Sequence, residues 1–277
     1  MSRPAIRLVL SDVDGTLLTT DKRLTDATVR AVARLRDADI HFAVTSGRPP
    51  RGLAMLVEPL ALTTPLAGFN GGLIVDASMA TLRELIIDDV LVTPIVDTMR
   101  DHGLSVWLYQ GTNWFVLDRQ GAHVEREARA CHFSPDQVTS LTTIRGDIVK
   151  VVGVSDEPAL IDRARTDVLD VTDGAVSATS SQSYYLDVTH PDANKGRVVD
   201  FLERTYGIGA FAIAVIGDME NDLLMFDRAG LRIAVGNASD EVKSRADFVS
   251  TSNDDDGFAY AIENFVLAPL GDTPRSR

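Results

Sequence analysis

Residues 7–18 read Arg-Leu-Val-Leu-Ser-Asp-Val-Asp-Gly-Thr-Leu-Leu. The apolar run at 7–11 predicts a short buried strand, and the Asp-Gly pair predicts a tight turn directly after it. Residues 26–37 follow as an amphipathic helix with Thr25 as its N-cap, and 41–44 form the next apolar strand. A strand, a helix and a strand within about 35 residues make a βαβ unit, which predicts a parallel sheet.

The last third of the chain repeats this alternation. Strands are predicted at 211–216, 232–235 and 248–250, and helices at 195–206, 221–228, 239–245 and 258–266. Together with the first segment they predict an α/β fold with a doubly wound parallel sheet.

The middle of the chain has a different pattern. Alternating segments at 105–109, 114–117, 148–154 and 183–188 are separated by helical stretches near 92–102 and 158–168. Period-two alternation indicates a more antiparallel sheet with one covered face. We therefore predict an inserted α+β cap domain at 82–187, a core formed by 1–81 and 188–277, and a disordered tail at 271–277.

Composition restricts the class of protein. A net charge of −13 argues against nucleic acid or an anionic membrane as the main partner. The single cysteine, Cys131, excludes an internal disulfide, and the first ten residues lack the apolar segment of a signal peptide. Apolar runs such as 210–216 are far shorter than the roughly 20 residues of a transmembrane helix. We expect a cytoplasmic protein that is a monomer or a small homo-oligomer.

Polar residues stand at the predicted carboxyl ends of three strands. In open α/β sheets ligands bind at this edge, so side chains about 200 positions apart can converge on one crevice. The residues are Asp12 and Asp14, Thr45 and Ser46, and Asp218, Asn221 and Asp222.

These residue types fit phosphoryl transfer. Asp12 is ionised without a base and can attack phosphorus, while Asp14, on the same side of an extended chain, can act as general acid and base. Lys195 and Ser46 can donate hydrogen bonds to the phosphate oxygens. Asp12, Asp14, Asp218 and Asp222 against Lys195 leave a formal charge of −3, which predicts a bound cation. An all-oxygen ligand set favours Mg²⁺ over zinc.

Four motifs occur in order along the chain: Asp-Val-Asp-Gly-Thr-Leu at 12–17, Thr-Ser-Gly-Arg at 45–48, Asn-Lys-Gly at 194–196 and Gly-Asp-Met-Glu-Asn-Asp at 217–222. With further agreement at 69–72, 234–238, 246–249 and 253–257, the sequence resembles the haloacid dehalogenase superfamily of phosphatases. Within it, the chain is similar to the Cof-type branch (type IIB), which has a large α/β cap inserted in a Rossmann-like core. One departure is Ser46, where many relatives have Thr.

The resemblance implies a role for each matching residue. It implies that Asp12 is the nucleophile and Asp14 the acid and base. Mg²⁺ is expected to bind Asp12, the backbone carbonyl of Asp14 and Asp218. Asp222 is expected to contact these ligands rather than the metal itself. The phosphate-binding residues are expected to be Ser46, Lys195 and Asn221.

Alternatives stay open at this point. The same aspartyl-phosphate could be passed to another hydroxyl by a phosphomutase or phosphotransferase, and a receiver-like signalling module also gathers carboxylates and a lysine around Mg²⁺. The most favoured substrate is a small sugar phosphate, with pyridoxal phosphate, flavin mononucleotide and nucleotides as alternatives. His123, Cys131 and His132 match no usual zinc spacing, and residues 254–256 are interpreted as a solvated loop.

Overall fold

The computed structural model describes residues 5–268, apart from the side chain of Ser181. The predicted disordered tail at 271–277 lies outside the described residues. The strands are β1 (Leu8–Asp12), β2 (His41–Thr45), β3 (Leu66–Gly68), β4 (Leu73–Val75), β5 (Thr81–Glu84), β6 (Ser105–Gln110), β7 (Asn113–Val116), β8 (Asp136–Gln137), β9 (Ile148–Val154), β10 (Ser177–Gln182), β11 (Tyr185–Thr189), β12 (Ile213–Gly217), β13 (Leu231–Ala234) and β14 (Phe248–Val249). The α-helices are α1 (Asp26–Asp37), α2 (Val57–Leu60), α3 (Asp89–Asp101), α4 (Val124–Cys131), α5 (Pro158–Val171), α6 (Lys195–Tyr206), α7 (Leu223–Phe226), α8 (Asp240–Arg245) and α9 (Gly257–Ala261).

The chain forms two compact units. The first contains the described parts of residues 1–46, 56–66 and 194–277, and the second contains residues 47–55 and 67–193. The domain boundaries predicted from the sequence, at 81/82 and 187/188, stay a prediction. None of the helices within residues 5–268 is both long and apolar enough to cross a membrane.

The first unit is built on parallel strands in the order β14-β13-β12-β1-β2. From β1 the chain continues outward to β2, and later returns to the opposite side of β1 with β12. The carboxyl ends of β1 and β12 therefore meet where the strand order reverses, which is the position at which open α/β sheets bind ligands. The strands carry fully buried apolar residues because helices cover the sheet.

Local sequence signals account for the helices of this unit. Helix α1 begins where predicted, with the Thr25 side chain accepting the Thr28 backbone N–H at 3.2 Å. Helix α6 begins after Asn194, which caps the Arg197 N–H in the same way at 3.1 Å. Helices α1 and α9 pack together, as do α6 and α7.

Two predicted elements of this unit differ from the structure. The strand expected at 211–216 begins only at Ile213, because residues 210–212 form a 3₁₀ turn that leaves Phe211 exposed. The helix expected at 221–228 is a 3₁₀ turn followed by the short α7. Its start is held in a tight turn because Asp222 accepts hydrogen bonds from preceding backbone N–H groups.

The second unit contains a six-stranded sheet in the order β10-β11-β9-β6-β7-β8. All pairs are antiparallel except β7 with β8. One face packs on α3 and α5 through alternate residues such as Val106, Leu108 and Val151. The predicted α/β fold with an inserted α+β module is confirmed, although helix α4 and strand β10 were not predicted.

The other face of this sheet carries aromatic residues and a buried ion pair. Trp107, Tyr109 and Trp114 are each at most 2% exposed, so they belong to the core of this unit. Lys150 and Asp187 lie on the same face, and their charged atoms are 2.9 Å apart. A buried pair of this kind stabilises little but is costly to break, since one charge would be left unpaired.

Candidate active site

Strand β1 brings Asp12 to the reversal point of the sheet. Asp12 is the last residue of the strand, pairs in register with Thr45 of β2, and is 5% exposed. The residues before it are fully buried, so the strand is held rigidly on both sides. This fixes the position from which the Asp12 carboxylate leaves the sheet.

The turn after Asp12 packs directly on a second carboxylate. Gly15 has φ of +87°, and a Cβ at this position would lie 2.5 Å from Oδ2 of Asp218. The Thr16 hydroxyl donates to Oδ1 of Asp218 at 2.7 Å. Only glycine allows both this backbone conformation and this close approach. Thr16 ties down the turn by binding to the loop after β12.

Asp218 and Asp222 occupy that loop after β12. Oδ2 of Asp222 accepts the backbone N–H groups of Asp218 at 2.8 Å and Met219 at 2.9 Å. Gly217 is required here because a Cβ would lie 2.5 Å from the Asp222 carboxylate. Asp222 thus orients Asp218 through the backbone.

Lys195 joins the two loops. It is the first residue of α6 and is 1% exposed. Its Nζ lies 2.6 Å from Oδ1 of Asp12 and 2.5 Å from Oδ1 of Asp222. A lysine buried this deeply is stable as an ammonium only with such partners.

The three carboxylates form a compact cluster that could hold a metal ion. One oxygen from each of Asp12, Asp218 and Asp222 lies within 4.8 Å of the others, and all three residues are buried. Three carboxylates against the ammonium of Lys195 leave two negative charges if all are ionised. The donors are oxygens only, without His or Cys, so the set fits a hard divalent cation.

Burial and mutual repulsion change the acidity of the cluster. Loss of hydration raises the pKa of Asp12 well above its usual range, an effect opposed by Lys195 and reinforced by Asp222 and Asp218. Burial is also the main cause that raises the pKa of Asp218 to about 6, opposed by the hydrogen bond from Thr16. The pKa of Lys195 is raised, because Asp12 and Asp222 outweigh the effect of burial. Without a cation the protein therefore favours protons on its carboxylates.

The other predicted site residues lie nearby in the chain. Asp14 pairs with Nζ of Lys22 at 2.8 Å, and both side chains are partly exposed. Ser46 is 2% exposed and directly follows β2. Asn221 is exposed in the 3₁₀ turn Glu220–Asp222. The catalytic, phosphate-binding and metal-binding roles of the predicted residues stay predictions.

Sequence reasoning missed several partners of the site. No pattern in the sequence predicted that Lys22 pairs with Asp14. Residues 254–256 are exposed, as expected of a solvated loop, but the sequence did not show that Asp254 and Asp256 also accept hydrogen bonds from Thr20 and Thr25. Their partners lie more than 200 residues away, so only the fold brings them together.

The acidic cluster and the buried lysine stand where the strand order of the parallel sheet reverses, and they are residue types that fit phosphoryl transfer. The sequence profile of the haloacid dehalogenase-like hydrolases matches residues 9–262, so the chain belongs to this family. The family resemblance inferred from the motifs is thereby confirmed.

Individual relatives agree over nearly the whole chain. The 5-amino-6-(5-phospho-D-ribitylamino)uracil phosphatase YitU of Bacillus subtilis is 27% identical, covering 93% of this chain and 97% of its own. The pyridoxal phosphate phosphatase YbhA of Escherichia coli is 25% identical, covering 94% and 99%. The crystal structure of a haloacid dehalogenase-like hydrolase from Bacteroides thetaiotaomicron superimposes with a TM-score of 0.87 at 25% identity, covering 93% and 98%. The predicted enzyme class, a phosphatase, is confirmed.

The raised carboxyl pKa values predict the pH dependence of stability. Between the ordinary pKa of 3.8 and the folded pKa of about 6, folded Asp218 holds more proton than the unfolded chain does. The free energy of unfolding of the metal-free protein therefore falls as pH rises through this window. Asp218→Asn removes this pH-dependent loss of stability, because an amide does not titrate in this range. The amide oxygen can still accept the hydrogen bond from the Thr16 hydroxyl. Between pH 4 and pH 7 we expect the free energy of unfolding of the variant, measured relative to that of wild type, to rise by on the order of 2 kcal/mol.

Urea unfolding in the presence of a chelator at a series of pH values measures this difference. Asp136→Asn, which replaces a carboxyl on the exposed strand β8, controls for the loss of one acidic group. A gain for Asp218→Asn that does not change with pH would contradict the assignment of Asp218 as a carboxyl with a raised pKa.

Proposed function

We propose that this phosphatase hydrolyses a small phosphorylated metabolite through a covalent aspartyl-phosphate on Asp12. The observation that carries the proposal is the contact of Lys195 with both Asp12 and Asp222 beside Asp218. A buried lysine within reach of a buried carboxylate gives a nucleophile together with a cation for the transferred group.

In the first step an oxygen of Asp12 attacks phosphorus and the bond from phosphorus to the ester oxygen breaks. The electron pair leaves with that oxygen, and Asp14 supplies the proton that converts it to an alcohol. Asp14 is suited to this task because it is partly exposed and two residues from the nucleophile. Lys22, which pairs with Asp14, keeps the carboxyl group in place without enclosing it.

In the second step water attacks the phosphorus of the aspartyl-phosphate. The ionised Asp14 takes a proton from this water, and the bond to Asp12 breaks to release inorganic phosphate. Both carboxyl groups return to their starting states. No oxidant or further reactant is needed.

Lys195 lies 2.6 Å from the Asp12 oxygen, so it can interact with the phosphoryl oxygens during both steps. We propose Ser46 and Asn221 as further donors, because both follow strand ends at the same edge of the sheet. These groups replace the water that would otherwise stabilise the phosphoryl charge.

We propose that the metal is Mg²⁺, held by Asp12, the backbone carbonyl of Asp14 and Asp218. Asp222 would orient these ligands, because its two oxygens already accept from Lys195 and from backbone N–H groups. A divalent cation there would offset the two excess negative charges and polarise a phosphoryl oxygen. It would also keep Asp12 ionised against the effect of burial.

We propose a sugar phosphate or a closely related polyol phosphate as the substrate class. The two relatives named above act on small phosphorylated molecules, and one of these carries its phosphate on a ribityl group. The overall charge of −13 favours a small ligand over a polyanion. We further propose that the enzyme works in the cytoplasm, where its single cysteine stays reduced.

A panel of phosphorylated metabolites, assayed for released phosphate, tests the substrate class. Quantifying free phosphate against consumed ester also separates hydrolysis from transfer to a second hydroxyl. Efficient turnover of nucleotides but not of sugar or polyol phosphates would overturn the proposed class.

The nucleophile is tested by Asp12→Asn. The amide is close in shape but a poor nucleophile, so we expect kcat to fall by more than about a thousandfold. Metal-free thermal stability should hold or rise, because one member of a repelling carboxylate cluster becomes neutral. Retention of more than about a tenth of kcat, equivalent to about 1.4 kcal/mol, would exclude Asp12 as the nucleophile.

The metal is tested by removing and restoring cations. We expect activity to vanish in the presence of a chelator and to return with Mg²⁺ but not with Ca²⁺. Calcium takes more oxygen ligands at longer distances, which engages carboxylate oxygens that must stay available for attack. Thermal unfolding provides a readout independent of turnover, since Mg²⁺ should raise the Tm of wild type more than that of Asp218→Asn. Full turnover after exhaustive chelation would refute the metal requirement.

A further inference from the structure

The turn that carries Asp14 is held from outside by two asparagines. Within the turn, the N–H groups of Leu17 and Leu18 donate to the carbonyl of Val13 at 3.1 and 2.9 Å. The carbonyls of Gly15 and Leu18 take no part in these two bonds. Each of them accepts a side-chain amide from the other half of the chain.

Asn237 and Asn253 are the donors. Nδ2 of Asn237 donates to the Gly15 carbonyl at 2.8 Å, and Nδ2 of Asn253 donates to the Leu18 carbonyl at 3.0 Å. The two asparagines are also joined, because the backbone N–H of Asn253 donates to Oδ1 of Asn237 at 3.0 Å. The Asn237 side chain therefore donates through Nδ2 and accepts through Oδ1. An ionised aspartate could not replace it, because a carboxylate has no hydrogen to donate to the Gly15 carbonyl.

Neighbouring residues extend the same contact. Asp254 accepts the backbone N–H and the hydroxyl of Thr20, each at 2.8 Å, and Asp256 accepts the hydroxyl of Thr25 at 2.7 Å. The hydrogen bonds from Thr20 lower the pKa of Asp254, so the acceptor stays ionised near neutral pH. We call Asn237 and residues 253–256 the brace.

The brace comes from the carboxyl ends of the two outer strands. Asn237 follows β13 and Asn253 follows β14, and their loops are in close contact. The Gly236 N–H donates to the Thr251 carbonyl at 2.8 Å, and a Cβ on Gly236 would lie 2.7 Å from the Ser252 nitrogen. The brace is thus anchored to the sheet, so it can transmit the rigidity of the sheet to the turn.

The turn needs such support for an electrostatic reason. Gly15 and Thr16 lie against Asp218, and three buried carboxylates in close proximity repel one another when ionised. A glycine-containing turn has high backbone freedom and would relax away from this repulsion. Bonds to carbonyls on its outer side oppose that relaxation.

Resting on the proposed function, we propose that Asn237 and Asn253 are positioning residues of the phosphatase reaction. They hold the Gly15 and Leu18 carbonyls, and thereby set where Asp14 and the Thr16–Asp218 contact lie relative to Asp12. Both side-chain amides are occupied by carbonyls of the turn, so we assign them no contact with the substrate. Their loss should lower turnover because a misplacement of about 1 Å can cost up to a hundredfold in rate.

The test compares Asn237→Ala, Asn253→Ala and the double variant with Asn264→Ala. Asn264 is a matched control, because its Nδ2 donates to the Tyr260 carbonyl at 2.9 Å, away from the turn. With p-nitrophenyl phosphate and Mg²⁺, we expect kcat to fall roughly tenfold in each brace variant with KM within about twofold. The double variant should lose little more than the worse single variant, since the two residues are bonded to each other.

A second readout does not depend on turnover. In the metal-free protein, hydrogen exchange at the Leu17 and Leu18 amides should accelerate roughly tenfold in the brace variants and stay unchanged in Asn264→Ala. If Asn253→Ala does not fold, Asn237→Ala alone carries both readouts, because Asn237 is exposed and its replacement leaves no cavity in the core.

The outcomes separate the two proposals. Wild-type protein without Mg²⁺-dependent turnover would refute the proposed function, while the exchange rates would still decide whether the brace orders the turn. Active wild type with brace variants whose kcat matches that of Asn264→Ala would falsify the positioning role. Faster exchange throughout the first unit would show a general loss of stability and would also overturn it.

Discussion

The contact of Lys195 with Asp12 and Asp222 is the interaction on which the catalytic unit depends. It joins three segments that are far apart in sequence, namely the end of β1, the start of α6 and the loop after β12. Burying these charged groups costs hydration free energy. The attraction between them offsets this cost only while the lysine and the carboxylates stay within hydrogen-bonding distance. The β1 and β12 loops are therefore locked to each other through one ammonium group. Their relative position is fixed before any ligand binds.

The cluster of buried carboxylates around Lys195 lowers the stability of the folded protein when the carboxylates are ionised. One ammonium cannot balance three carboxylates, and burial raises the pKa of both Asp12 and Asp218. A folded protein that keeps such repulsion needs other bonds to prevent the loops from separating. The Thr16 hydroxyl, the N–H groups that bind Asp222 and the brace provide them. The same repulsion would favour binding of a cation at the three carboxylates.

The second unit also contains a buried lysine paired with a carboxylate, here on one face of its antiparallel sheet. One face of its sheet is closed by apolar packing on α3 and α5, while the other face combines aromatic rings with the Lys150–Asp187 pair. Lys150 also lies 5.6 Å from the ring centre of Phe69, so its charge is partly balanced by an aromatic face. The ion pair restricts how this face can repack, because any shift would leave a buried charge without a partner.

The sequence alone determined the strands, helices and motifs that depend on neighbouring residues. Apolar periodicity located β1, α1, β9 and α6 to within a residue or so, since those signals arise from burial and capping of consecutive residues. The placement of Asp12, Asp218 and Asp222 after predicted strands predicted that they converge, because parallel strand ends share one edge, and Lys195 at a helix start was expected in the same crevice. Tertiary structure alone decided the contact of Asn237 and residues 253–256 with the segment after Asp12. This contact depends on hydrogen bonds between residues up to about 235 positions apart, and no local pattern encodes which distant carbonyl a side-chain amide will reach.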